Sequence, residues 1–285
     1  LTLHERLAAA REQLVRAGLN PSEATIDVDL YARTILKWDR ARILLNYHEP
    51  VPAQLEPQFS QWVARRLRFE PTAYIVGERE FWGLDFLTTP AVLIPRPETE
   101  LVVEATAEIV RGTMSGRAPR MADIGTGSGN IAVSIAHLLP NCTFVATDVS
   151  QPALDVARQN AVRHRVADRI EFVCTSYLDG VTGPFDLITA NPPYVRDIDK
   201  RGLSADVLQE PHVALFGGST GLDHIDAVLA AAVRTLPSGG WLVMEFGFGQ
   251  EDDVRERAGR HEELRIDHTR ADLQGLARTV IIQRR

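Results

Sequence analysis

Two cysteines, three methionines and two lysines, Lys37 and Lys200, are all that 285 residues contain of those types. Cys142 and Cys174 have no CxxC spacing, which excludes a disulfide framework or a thiolate metal knuckle. They are expected to be small buried hydrophobes in strands of a reduced protein. The eight histidines show no HxxxH spacing and no paired carboxylates, so no metal site is expected. No apolar run approaches the roughly 20 residues of a membrane span. Residues 1–18 carry Glu5, Arg6, Arg11 and Glu12 among their apolar positions and lack a secretory core, so a cytoplasmic location is expected. A strong positive excess is also missing: the formal charge is −7, which disfavours nucleic acid as the main partner. The scarcity of lysine beside abundant arginine carries no functional signal.

What remains is an ordinary globular composition, 45% hydrophobic and 24% charged, long enough for two domains. Residues 1–70 read as helices. Leu3, Leu7, Ala10, Leu14 and Ala17 recur at helical steps until Gly18 and Asn20-Pro21, and Ser22 is a candidate cap for a second helix. Phe59, Val63 and Leu67 mark a later one. Nothing there has catalytic spacing, and a small bundle used for substrate docking is expected. From Pro71 to about Pro95 the texture changes to aromatic and β-branched residues between glycines. Ala73–Gly77 and Phe81–Phe86 predict a short strand pair, a β-hairpin linker over 71–95. Two prolines in Leu93-Ile94-Pro95-Arg96-Pro97 then enforce an extended approach to a helix beginning at Leu101. Residues 96–285 form the expected catalytic domain.

Beyond Pro119, strands alternate with helices. Met121–Ile124, Thr143–Thr147, Ile170–Val173, Phe185–Thr189 and Trp241–Phe246 read as buried strands, with Leu264–His268 and Ala277–Gln283 as a closing pair. Ile131–Leu139, Pro152–His164, Leu222–Leu236 and Glu251–Gly259 read as helices. That alternation predicts an α/β fold, an open, mostly parallel sheet with helices on both faces.

Two constellations carry chemistry. In Asp123-Ile124-Gly125-Thr126-Gly127-Ser128-Gly129-Asn130, glycines at the end of a strand let the backbone turn sharply beneath a ligand at a helix N-terminus. Asp148, at the end of the next strand, can accept hydrogen bonds from both hydroxyls of a ribose. The loop reads GxGxG and lacks the spacing of the dinucleotide fingerprint, so a nucleoside site is predicted and a dinucleotide oxidoreductase is disfavoured.

Asn191-Pro192-Pro193-Tyr194 follows the fourth strand, whose carboxyl end lies beside the glycine loop in a doubly wound sheet. The Asn191 side-chain oxygen and the Pro192 carbonyl are two acceptors, held stiffly by consecutive prolines. Tyr194 offers a flat wall for stacking. Two acceptors and a wall complement a planar carbon bearing –NH₂. Gripping both of its hydrogens favours pyramidalisation and aims the nitrogen lone pair at a neighbouring electrophile, a sulfonium methyl. The tetrapeptide does not by itself separate adenine, cytosine and glutamine as targets. Asp197, Asp199, Lys200 and Arg201 read as a solvated loop, and Gly217–Gly221 as a flexible lead into a helix.

The glycine loop, Asp148 and NPPY together resemble the class I S-adenosylmethionine-dependent methyltransferases. Residues 70–285 resemble one branch more closely, the release factor glutamine methyltransferases or HemK family. Glu70 through Gly83, Leu93-Ile94-Pro95-Arg96-Pro97-Glu98-Thr99-Glu100, Glu210-Pro211 and Leu222-Asp223 carry that likeness. The resemblance implies a Rossmann-like, doubly wound seven-stranded methyltransferase sheet with an N-terminal helical bundle. It implies methylation, from S-adenosylmethionine, of the side-chain amide nitrogen (N5) of the glutamine in the Gly-Gly-Gln motif of peptide chain release factors. The alternative is an adenine amino-methyltransferase acting on nucleic acid. By the same resemblance Gly125, Thr126, Gly127, Ser128 and Gly129 line the cofactor, with Asp148 on its ribose. Asn191, Pro192, Pro193 and Tyr194 clamp the target amide, and Asn191 also borders the cofactor. Where the family commonly has an acidic-aromatic pair, this chain has Ser176-Tyr177, with Tyr177 expected to pack against adenine.

Overall fold

The computed structural model describes residues 1–285, which divide into two compact units, Leu1–Gly77 with Ser204–Gln209, and Glu78–Leu203 with Glu210–Arg285. In the first unit five helices, α1 (Leu3–Arg16), α2 (Pro21–Leu36), α3 (Arg40–Leu45), α4 (Gln58–Arg66) and α5 (Thr72–Val76), enclose one core. Helix α1 starts in a capping box between Thr2 and Glu5 and buries Leu3, Leu7, Ala10 and Leu14, one helical face. Helix α2 is capped by Asn20, not Ser22: the Asn20 side chain accepts from the Ser22 amide, and Pro21 takes the first helical position, where its missing N–H costs nothing. Its inner face carries Asp27, whose carboxylate meets buried Arg66 from α4 at 2.7 Å. Asp206 of the Ser204–Gln209 segment adds a second carboxylate to the same guanidinium at 3.3 Å.

Residues 73–77 depart from the strand predicted for them. Tertiary packing overrides their β propensity: Ala73, Tyr74 and Ile75 are buried in α5, and Gly77 ends that helix in a left-handed conformation (φ +91°). The hairpin is therefore confined to β1 (Glu78–Phe81) and β2 (Leu84–Leu87), paired antiparallel.

The second unit continues with α6 (Glu100–Thr113), β3 (Arg120–Ile124), α7 (Asn130–Leu138), β4 (Thr143–Asp148), α8 (Gln151–Arg163), β5 (Ile170–Cys174) and β6 (Leu187–Ala190). It closes with α9 (Asp223–Thr235), β7 (Trp241–Glu245), α10 (Glu251–Gly259), β8 (Leu264–Ala271) and β9 (Ala277–Arg284). The seven-stranded sheet runs β5-β4-β3-β6-β7-β9-β8, parallel except for β9, which pairs antiparallel with β7 and β8. This is the Rossmann-like methyltransferase arrangement, and its order reverses between β3 and β6. Alternate side chains of each strand go to opposite faces. Met121, Phe144, Leu187 and Val243 pack with α6 and α7, while Ala122, Val145, Ile188 and Leu242 pack with α9 and α10. Both faces are covered, which is why these strands read as continuous apolar runs. Cys142 is buried just before β4, but Cys174 is exposed, because β5 is an edge strand. No helix is long and apolar enough to cross a membrane.

Candidate active site

Where the strand order reverses, the carboxyl ends of β3, β4 and β6 surround a cavity of about 220 Å³. Gly125, Thr126, Gly127, Ser128, Asp148, Tyr177, Asn191, Pro192 and Pro193 all line it. Gly129 and Tyr194 stand behind that wall. Gly129 acts on packing: at φ +81°, an added Cβ would lie 3.2 Å from the Ala157 Cβ, so its lack of a side chain brings α7 against α8.

The loop after β3 is tied from below. Asp123 is fully buried and accepts from the Thr126 hydroxyl at 2.6 Å and the Thr189 hydroxyl at 2.7 Å, joining the loop to β6. Burial pushes its carboxyl up to about 6. From α8, buried Asn160 donates to the Ser128 carbonyl (2.8 Å) and exchanges two hydrogen bonds with the Leu87 backbone. Asp148 accepts from the Gly127 amide with one oxygen and from the Ser150 amide with the other, each at 2.9 Å. Those bonds fix the carboxylate plane and leave lone pairs on both oxygens for ribose hydroxyls. Desolvation nevertheless raises its pKa. Tyr177 holds φ +50° and its hydroxyl lies 2.9 Å from His224 Nδ1 on the first turn of α9, so both reach the same part of the cavity wall.

The opposite wall is Leu93–Arg96. Buried Glu210 takes the Ile94 amide on one oxygen (3.0 Å) and the Arg96 guanidinium on the other. At the NPPY loop, Asn191 donates from Nδ2 to the Thr99 hydroxyl at 3.0 Å, which leaves its Oδ1 as an acceptor. Thr99 donates to Glu245 at 2.6 Å, and the Tyr194 hydroxyl donates to the other Glu245 oxygen at 3.0 Å. The Tyr194 carbonyl accepts from Gln250 at 3.1 Å.

Gly217–Gly221 is no flexible lead. The Gly217 amide donates to the Val195 carbonyl, and backbone lies directly beneath NPPY. A Cβ on Gly221 would sit 2.4 Å from the Tyr194 carbonyl oxygen, at φ +76°. Gly221→Ala is thus expected to lower unfolding free energy by about 2 kcal/mol or more, measured by denaturant titration. An unchanged midpoint would contradict this packing. Sequence reasoning assigns no role to Thr99, Asn160, Glu210, His224, Glu245 or Gln250. The visible hints are Glu245, an acid ending the apolar run Trp-Leu-Val-Met, and the place of Thr99 and Glu210 in stretches that carry the family likeness.

Residues 5–77 match the PrmC N-terminal domain family and residues 102–218 the methyltransferase small domain family. A release factor glutamine methyltransferase of Bradyrhizobium diazoefficiens is 40% identical over 260 residues, covering 90% of this chain and 87% of that one. The chain belongs to the release factor glutamine methyltransferase family. The relative of that name from Nitratidesulfovibrio vulgaris is also 40% identical, over 99% of this chain and 95% of its own. Among solved structures, a methyltransferase from Pyrococcus furiosus superposes with a TM-score of 0.53 at 20% identity, over 79% of this chain and 98% of that one. A T. thermophilus 16S rRNA methyltransferase in complex with AdoMet and guanosine gives 0.51 at 16% identity, over 73% and 50%. At those identities the likeness is one of fold. A release factor glutamine methyltransferase chain thus shares its sheet with an rRNA methyltransferase, so the fold alone does not fix the substrate.

Proposed function

We propose that this enzyme transfers a methyl group from S-adenosylmethionine to the side-chain amide nitrogen of the Gly-Gly-Gln glutamine of a peptide chain release factor. The observation that carries the reading is the Asn191 amide: its nitrogen is engaged by Thr99, so its oxygen is the end left to accept from a substrate. Residues 1–70 are read as a docking domain, 71–95 as a linker and 96–285 as the catalytic domain.

The residues present suit the cofactor. Asp148 can hold ribose hydroxyls, Tyr177 can flank a planar base, and Gly125–Ser128 offer close backbone approach. S-adenosylmethionine, when bound there, supplies a methyl group activated by a positively charged sulfur. A carboxamide nitrogen is a weak nucleophile because its lone pair is delocalised into the carbonyl. Asn191 Oδ1 and the Pro192 carbonyl each accept one of its hydrogens, which weakens that delocalisation and orients the lone pair. Ile94, Pro95, Pro192 and Pro193 give the cavity beside the two acceptors an apolar lining, which lowers the local dielectric.

The reading is tested by incubating the protein with labelled methyl donor and, separately, purified release factor, duplex DNA and tRNA. Label is expected in the release factor, on glutamine, and in neither nucleic acid. Label in nucleic acid but not in the release factor would overturn this reading and favour an amino-methyltransferase acting on nucleic acid.

A further inference from the structure

The NPPY asparagine has a carbonyl end and an amino end of nearly equal size, and only one of them can accept a proton from a substrate amide. Something must decide which end faces the cavity. Thr99, the partner of Asn191, cannot decide alone, because a hydroxyl both donates and accepts. Behind Thr99, however, lies Glu245, fully buried at the end of β7.

We propose that Glu245 is a positioning residue that sets the orientation of the Asn191 amide through the Thr99 hydroxyl. The inference rests on the reading of Asn191 as the substrate acceptor. An ionised carboxylate has no proton to give, so the single Thr99 proton goes to Glu245 and the Tyr194 proton goes to its other oxygen. Thr99 then has only lone pairs left for Asn191, which must present its amino group to Thr99 and its carbonyl to the cavity.

A neutral Glu245 reverses the chain. Phenol oxygen is a poor acceptor because its lone pair is drawn into the ring, so Tyr194 goes on donating and the new carboxyl proton turns to Thr99. Thr99 then donates to Asn191, whose carbonyl swings away from the cavity. Proton uptake at one buried carboxylate thus becomes a flip of the substrate-binding group. Burial pushes the Glu245 carboxyl up to about 7. Of the charged groups around it, Glu98 on the approach to α6 pushes in the same direction, and Arg278 on β9 opposes it. Tyr194 is shifted up in turn, chiefly by the Glu245 charge, and stays a phenol. The cavity-facing carbonyl belongs to the ionised form, so activity is lost as pH falls through the Glu245 range.

The test uses the full-length protein with release factor as substrate, between pH 5.5 and 9. Glu245→Gln is expected to lower kcat about tenfold or more, since the carboxamide it introduces donates to Thr99 at every pH. KM for release factor and the calorimetric Kd for S-adenosylhomocysteine are expected to stay within about threefold. The acid limb of the wild-type kcat profile disappears in the variant. Without any substrate, the Asn191 side-chain amide resonance in ¹⁵N NMR shifts with pH through the Glu245 titration in the wild type and stays constant in Glu245→Gln. If that variant fails to fold, Thr99→Ser, which keeps the hydroxyl, and Thr99→Val, which removes it, carry the test: the first retains most of kcat and the second does not. A kcat profile whose acid limb survives in Glu245→Gln, or an Asn191 resonance indifferent to pH in the wild type, overturns the proposal. Lack of methyl transfer to release factor by the wild type would overturn the proposed function, while the NMR result would still decide the role of Glu245.

Discussion

Replacing Asn191 by alanine is expected to reduce kcat for methyl transfer about 1000-fold while the Kd for S-adenosylhomocysteine changes less than about threefold. The asymmetry follows from what Asn191 touches. Its amino group is bonded to Thr99 at 3.0 Å, and the bonds that hold Asp148 and the glycine loop come from Gly127, Ser150, Thr126 and Asn160. Truncation removes an acceptor that matters most as the substrate nitrogen changes geometry, and it removes little from the nucleoside side. Asn191→Asp is a sharper probe. It keeps the shape and an acceptor oxygen, but it has no donor for Thr99 and places a second carboxylate on the hydroxyl that already serves Glu245, so turnover should fall nearly as far. Single-turnover kinetics with calorimetry separate the two effects. Equal loss of binding and turnover in Asn191→Ala would contradict the acceptor role.

The second large effect belongs to Asp148. Asp148→Ala should weaken S-adenosylhomocysteine binding about 100-fold, the worth of two hydrogen bonds to a charged, half-enclosed acceptor. Part of that loss comes through the protein itself, because the Gly127 and Ser150 amides lose their common partner. Asp148→Asn should fall between: one oxygen remains, but the new amino group faces an amide N–H that it cannot pair. Turnover at saturating cofactor should drop less than about tenfold in either variant, since NPPY keeps its ties to Thr99 and Gln250. A Kd unchanged in Asp148→Ala would remove Asp148 from the cofactor site.

Much of this architecture was legible beforehand because its signals are local. Met121–Ile124 and Trp241–Phe246 announced themselves as mainly apolar stretches, each broken by one acid, a direct consequence of burial on both sheet faces. The glycine loop, Asp148 and NPPY each occupy a short stretch, and the sheet topology brings their strand ends together. What escaped is non-local. Thr99 and Glu245 are 146 residues apart, and they meet only because α6 starts over the end of β7. Asn160 and Leu87, 73 residues apart, are joined in the same way. The misread stretch at 73–77 has a related cause: its β-forming side chains are claimed by a helical core that composition alone does not place beside them.

The position of β9 has a consequence for biosynthesis. This strand follows β8 in sequence, yet it lies between β7 and β8 in the sheet. While the polypeptide is still being made, β7 can find β6, but its other edge stays open until residues 277–284 emerge from the ribosome. All five residues of β7 are buried in the finished molecule, so the nascent edge is apolar and rich in unpaired amides, a natural target for chaperones and for self-association. Clipping the chain after residue 276 would make that transient hazard permanent and would strand β8 as well, since β9 is its sole neighbour in the sheet.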